Sequence, residues 1–179
     1  MKKLTGLLAI SALLLPAQAF ASLAMGAKAP DFTTQGALAG KTFKLNLSSE
    51  LRKGPVVLYF FPAAFTPGCT VEAHEFAEAS DAFRKAGARV VGLSADPIEK
   101  LQKFSIEACR NKFAVASASP AVIKAYDVTL PQREGMSNRT SYVISPSGRV
   151  VYVHSDMNPA DHVKNTLAAV RSLKVKAAE

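Results

Sequence analysis

The run Val56-Val57-Leu58-Tyr59-Phe60-Phe61 has no charged position on either face and is bounded by Gly54-Pro55 and Pro62. That pattern predicts a strand buried on both faces. From Pro67 to Lys85 the period becomes helical. Cys69, Glu72, Ala73, Phe76, Ser80 and Phe83 fall on or near one face, a proline opens the run and Gly87 closes it. Phe76 and Phe83 are expected in the core, holding the cysteine end of that face inward. The alternation then repeats. Residues 89–94 predict a second buried strand, Asp96-Pro97 the cap and start of a helix reaching Arg110, residues 113–118 a third strand and residues 120–125 a short helix. Residues 140–144 and 149–154 flank the turn Ser145-Pro146-Ser147-Gly148, which is a hairpin signal. An earlier hairpin reaches Phe43-Lys44-Leu45. A helix from Pro159 to Leu173, with Val163, Leu167 and Val170 at helical spacing, follows the second hairpin.

Strands alternating with helices, then a hairpin and a last helix, describe an α/β sandwich with a mixed central β-sheet flanked by helices. No repeat, low-complexity stretch or linker divides residues 22–179, so a single domain is expected there. Residues 1–21 differ in kind. Met1-Lys2-Lys3 is basic, Leu4 to Leu15 is largely apolar, and Pro16-Ala17-Gln18-Ala19-Phe20-Ala21 offers small residues in an A-x-A pattern. This predicts a secretory signal cleaved after Ala21, or after Ala19, and a periplasmic or secreted mature protein. The apolar run is shorter than a bilayer span of roughly 20 residues, so no membrane anchor is expected in the mature form.

The 179-residue chain has a formal charge of +8. Without Lys2 and Lys3 the remainder keeps +6, scattered rather than clustered. No basic stripe interleaved with aromatics suggests a nucleic-acid partner.

The chemistry concentrates around one cysteine. Pro62-Ala63-Ala64-Phe65-Thr66-Pro67-Gly68-Cys69 leads from the buried strand into the predicted helix and places a sulfur at a helix N-terminus. Free backbone N–H groups and the helix dipole favour a thiolate there. The second cysteine, Cys109, lies near the end of the next predicted helix. In an oxidising compartment two cysteines often form a structural disulfide, and count alone favours that reading.

The local motif overturns it. P-x-x-x-T-x-x-C, carried by Pro62, Thr66 and Cys69 directly after an apolar strand, resembles the peroxiredoxins. Ala29-Pro30-Asp31-Phe32 is similar to that family's opening motif. Arg139-Thr140-Ser141-Tyr142-Val143-Ile144 resembles the strand bearing its active-site arginine. Thr66-Pro67-Gly68-Cys69-Thr70, and Asn158-Pro159 followed by His162-Val163, are similar to the Q-type, bacterioferritin-comigratory-protein branch. The resemblance covers nearly all of residues 22–179. It implies a thioredoxin-like fold and a thiol-dependent peroxidase acting on hydrogen peroxide or organic hydroperoxides through a cysteine sulfenic acid. No cofactor or metal is implied.

On this resemblance Cys69 is the peroxidatic cysteine. Arg139, the Thr66 hydroxyl and the N–H groups of Gly68 and Cys69 would supply donors to the charge that develops when the O–O bond breaks. Pro62 would shield the sulfenic acid from water. Glu72, one turn after Cys69, would orient Arg139 or serve only as an ordinary first-turn acid. Tyr59 and Phe65 are expected to pack.

In many Q-type members the resolving cysteine lies five residues after the peroxidatic one. Here that position is His74, expected to face solvent. The resemblance then implies Cys109 as resolver, forming a Cys69–Cys109 disulfide; an inert buried thiol is the competing reading. The bond would be reduced by an external thiol donor, thioredoxin-like or glutaredoxin-like, and the chain is expected to be a monomer. Two alternatives remain from the sequence. A thiol–disulfide oxidoreductase would want the C-x-x-C that is missing, and a non-catalytic binding or chaperone protein would keep a permanent disulfide.

Overall fold

A computed structural model describes residues 22–176, with the predicted signal segment outside that range. The chain opens with a hairpin, β1 (Thr33–Leu38) and β2 (Lys41–Asn46), followed by a short helix α1 (Leu47–Leu51) that the sequence pattern did not announce. Asn46 caps α1 by accepting from the Ser49 N–H. The order then runs β3 (Val56–Phe60), α2 (Pro67–Lys85), β4 (Arg89–Ser94), α3 (Ile98–Glu107), β5 (Ala114–Ser117) and α4 (Pro120–Ala125). It finishes with β6 (Thr140–Ile144), β7 (Val150–Ser155) and α5 (His162–Lys176).

The strands form one mixed sheet in the order β2-β1-β5-β4-β3-β6-β7. β3, β4 and β5 run parallel, whereas β6 pairs antiparallel with β3, and β7 with β6. β3 lies between β4 and β6, and all of its residues are buried, as its uninterrupted apolar run requires. Its side chains alternate between two cores. Val57 and Tyr59, together with Phe61 beyond the strand end, join Phe76, Phe83, Phe104, Cys69 and Cys109 under α2, α3 and α5. Val56, Leu58 and Phe60 pack with Tyr126, Tyr142 and Ile123 on the other face. The carboxyl end of β3 therefore leads into the loop before the first cysteine, beside the carboxyl end of β4.

Three helix boundaries that bear on function differ from the sequence pattern. α3 stops at Glu107 instead of reaching Arg110, because Arg110 and Asn111 adopt left-handed conformations with φ of 50° and 60°. Cys109 is thus in a turn beyond the helix, where its N–H donates to the Phe104 carbonyl. α5 begins at His162 instead of Pro159, after Asp161 at φ 69°. Asp96 does not cap α3; Pro97 occupies the cap position, and the Asp96 carboxylate is used elsewhere.

Candidate active site

Cys69 enters the site from the first turn of α2. Thr66 holds the N-cap position with extended backbone, Pro67 opens the helix, and the first backbone bond runs from the Thr70 N–H to the Thr66 carbonyl. The N–H groups of Gly68 and Cys69 lie ahead of that bond, where a helix leaves donors for an incoming group. The Cys69 side chain is buried, with 1 % of its surface exposed.

The loop before it is fixed at its far end by Asp96. One carboxylate oxygen accepts from the Ala64 N–H at 2.7 Å and from the Ser94 hydroxyl at 2.8 Å; the other pairs with Lys100 at 2.7 Å. Asp96 was expected only to start a helix. Its place directly beyond the carboxyl end of a buried strand is the signal that marks it as a loop holder.

Arg139, immediately before β6, reaches the cysteine. Its Nη2 lies 3.4 Å from Cys69 Sγ, its Nη1 donates to Glu72 Oε2, and its Nε donates to the Met157 carbonyl at 3.0 Å. All three nitrogens of the guanidinium are therefore engaged, which fixes the fork. Arg139 is 4 % exposed and Glu72 fully buried. Burial pushes the Glu72 carboxyl from 4.5 up to about 8, with the Arg139 charge pulling the other way. Burial opposes the Arg139 charge, but Glu72 and Cys69 outweigh it and hold the guanidinium above its usual range. Gly68 belongs to the same geometry, since a Cβ there would sit 3.3 Å from Arg139 Nη2 and 3.9 Å from Pro159 Cγ.

Thr66 and Pro62 are placed less tightly. Thr66 is exposed, and its hydroxyl donates to the Ala63 carbonyl at 2.9 Å rather than to Cys69 or to the helix. Its oxygen lone pairs remain open to a donor. Pro62 is half-buried at the exit of β3. Phe65, expected to pack, does so in part: its ring meets Phe104 edge-on at 5.2 Å, while 41 % of the residue is exposed and its φ is 67°. His74 is half-buried rather than fully solvent-facing.

Cys109 is fully buried in the same apolar core as Cys69, and both are free thiols. Desolvation raises its thiol far above the ordinary range. Tyr59 packs in that core too, stacked on Phe61 and Phe76, and its buried hydroxyl has no hydrogen-bond partner.

Two polar residues behind Glu72 carried no role in the sequence reading. His162 Nδ1 lies 3.6 Å from Glu72 Oε1 and 2.8 Å from Ser141 Oγ. Their signals were present: a serine inside the buried run of β6, and a histidine opening the stripe His162, Thr166, Val170 that α5 turns inward.

A thioredoxin-like mixed sheet with a buried thiol at a helix start, held under an arginine, defines a thiol peroxidase. The AhpC/TSA family profile matches residues 25–153, and the chain belongs to that family. It is 33% identical over 156 residues to peroxiredoxin Q, chloroplastic, of Sedum lineare, covering 87% of this chain and 82% of that one. It is 29% identical over 160 residues to peroxiredoxin Bcp of Bacillus subtilis strain 168, covering 87% and 99%. Among solved structures, the peroxidoxin BcpB of Mycobacterium tuberculosis superposes with a TM-score of 0.75 at 33% identity, covering 83% of this chain and 97% of that one. The chain is accordingly a thiol-dependent peroxidase, and neither the C-x-x-C oxidoreductase nor the non-catalytic reading is favoured.

Proposed function

We propose that Cys69 is the peroxidatic thiol, that Arg139 and the first turn of α2 stabilise the leaving oxygen, and that Cys109 resolves the product. The observation that carries this reading is the guanidinium of Arg139 bridging Cys69 Sγ and Glu72 in a buried site. The Cys69 thiolate attacks one peroxide oxygen, the O–O electron pair leaves with the other oxygen as alkoxide or hydroxide, and that oxygen takes a proton. Arg139 Nη2 and the Gly68 and Cys69 N–H groups face the developing charge. Thr66, whose hydroxyl proton is held by the Ala63 carbonyl, accepts from the peroxide O–H through its lone pairs, and Pro62 limits access of water to the sulfenic acid.

The second step needs movement. Cys109 is buried as a neutral thiol and reacts poorly in that state. Its turn and the Phe65 loop must open so that Cys109, having lost its proton, attacks Cys69 Sγ and expels the sulfenic oxygen as water. The left-handed Phe65 and the two left-handed residues after Cys109 are the points about which these segments turn. A thioredoxin-like or glutaredoxin-like donor then reduces the disulfide.

The reading also places the mature chain outside the cytoplasm, on the strength of the basic start, apolar run and A-x-A pattern of residues 1–21. It further takes the chain as a monomer; the edge strand β2 carries exposed Lys41 and Lys44, which oppose strand-to-strand pairing.

Peptide mapping after one equivalent of hydrogen peroxide tests the cycle. The expected product is a Cys69–Cys109 disulfide that Cys109→Ser abolishes, leaving Cys69 as sulfenic or sulfinic acid. Unchanged turnover of Cys109→Ser with a thioredoxin-like donor would remove Cys109 from the cycle.

A further inference from the structure

Behind the Cys69–Arg139 pair lies a buried polar chain that the proposed peroxide chemistry has not used. His162 Nε2 lies 3.0 Å from the Asp156 carbonyl oxygen, which can only accept, so Nε2 carries the proton. In the neutral ring Nδ1 is then an acceptor. The Ser141 hydroxyl reaches it at 2.8 Å, and Glu72 Oε1 stands 3.6 Å away with no hydrogen-bond partner. Nδ1 thus already has a donor in Ser141, whereas the buried Glu72 Oε1 has none. A proton held between Glu72 Oε1 and His162 Nδ1, 3.6 Å apart, gives Oε1 the partner it lacks once the Ser141 hydroxyl turns aside.

Charge gives that proton a source. Among the described residues in contact here, Arg139 is the fixed cation, and Cys69 and Glu72 compete for it as anions. With Cys69 as thiol and Glu72 ionised, the buried group is neutral. With Cys69 as thiolate and the Glu72–His162 pair protonated, it is neutral again. Ionising Cys69 and Glu72 together would bury a net negative charge, which is costly in such a site.

We propose that Glu72 and His162 form a proton-holding pair that keeps the proton Cys69 gives up and returns it to the leaving oxygen. This rests on Cys69 being the peroxidatic thiol. In balance, the Cys69 proton passes to the pair and the thiolate attacks the peroxide. The O–O bond breaks with its electron pair on the leaving oxygen, and the pair's proton ends on that oxygen. The sulfenic acid retains the transferred oxygen with the other peroxide proton, so no net proton enters or leaves the protein. His162 acts through Glu72 and is a positioning residue. The groups around the pair are Cys69 and Glu75 from α2, Tyr59 from β3, Arg139 and Ser141 at β6, His154 of β7 with its ring 4.5 Å from His162, and Asp156 in the following loop; Arg139 acts on both members, Glu75 on Glu72, and His154 and Asp156 on His162.

The test measures thiolate absorbance and the peroxide rate constant against pH in three reduced proteins: the native chain, His162→Gln and Ser141→Ala. His162→Gln keeps a donor for the Asp156 carbonyl but cannot hold the proton. It is expected to lose thiolate and rate by about tenfold near pH 6 and to rejoin the native curve near pH 9, a tenfold change being one unit of acidity. Ser141→Ala removes a donor that competes for Nδ1, so its thiolate fraction and rate near pH 6 should rise about twofold. A rate loss in His162→Gln of equal size at every pH, or no loss, would overturn the proposal. If His162→Gln does not fold, Ser141→Ala decides it alone: a fall in thiolate near pH 6 would contradict the relay. A native chain whose thiolate titrates as expected of the pair but which does not react with peroxide would instead count against the peroxidase assignment of Cys69.

Discussion

Arg139 Nη2 and Cys69 Sγ, seventy residues apart in sequence, lie 3.4 Å apart in the folded chain, and the same guanidinium is anchored by Glu72 and the Met157 carbonyl. The thiol's environment is therefore set by two elements: the start of α2 brings the sulfur and the entry to β6 brings the charge. Neither alone is a site.

Arg139→Lys should show how much the fork geometry contributes. A lysine ammonium is a point charge on a flexible stem and cannot serve Cys69, Glu72 and Met157 from fixed positions. The peroxide rate constant is expected to fall about a hundredfold or more, the usual cost of losing a preorganised donor to developing charge. Stopped-flow kinetics with hydrogen peroxide gives the number. A loss under about threefold would mean that net charge alone suffices.

Gly68→Ala probes the same geometry without touching a functional group. The added Cβ would stand 3.3 Å from Arg139 Nη2, and the guanidinium must yield by a few tenths of an ångström. We expect about a tenfold slower peroxide step with a nearly unchanged melting temperature, since small misplacement of a catalytic group costs rate before stability. Comparison of the rate constant with the thermal melt separates the two effects.

Asp96→Ala removes the acceptor that ties the Ala64 N–H and Ser94 hydroxyl to the cysteine loop. Leaving a part-buried donor unpaired costs about 1–3 kcal/mol. Denaturant unfolding should register that loss, and amide exchange at Ala64 should accelerate. Unaltered exchange there would show that the loop is held by other contacts.

The buried pair behind Arg139 shapes stability against pH. Glu72 rises from 4.5 to about 8 on folding, so over that window the folded chain holds a proton that the unfolded chain has released, and stability falls as pH rises. His162 drops from 6.5 to about 4, so between those values it stays neutral when folded and charged when unfolded, and stability rises with pH. The two oppose each other between 4.5 and 6.5, and above 6.5 Glu72 is the one of the pair that still acts. The melting temperature should therefore decline from 6.5 toward 8, and Glu72→Gln should flatten that decline. A decline that persists in Glu72→Gln would place its origin elsewhere.

Much of this was legible in the chain because it was local. The uninterrupted apolar run of β3, the helical stripe of Phe76 and Phe83 and the motif from Pro62 to Cys69 each depend on neighbours in sequence, and each lies where its pattern puts it. What sequence spacing could not supply is what non-local packing decides. Asp96 looked like a helix cap and became a loop tether, because the carboxyl ends of β3 and β4 are adjacent. Thr66 was expected to offer its hydroxyl proton to the leaving oxygen, and in the folded chain that proton goes to the Ala63 carbonyl of its own loop. His162 opens an inward-facing stripe, but its meeting with Glu72 requires α5 to pack on α2. The early end of α3 was missed because the first left-handed residue after Cys109 is Arg110, a type that rarely takes that conformation, and not glycine.

The central claim is that the fold makes Cys69, and not Cys109, a peroxide-reactive thiol. The most direct measurement reacts the reduced native chain and the same chain unfolded in denaturant with hydrogen peroxide, trapping sulfenic acid and mapping the adduct. The account predicts a native rate about a thousandfold or more above the unfolded one, with the adduct on Cys69, as expected of a preorganised site. Equal rates in the two states, or an adduct that forms first on Cys109, would contradict it.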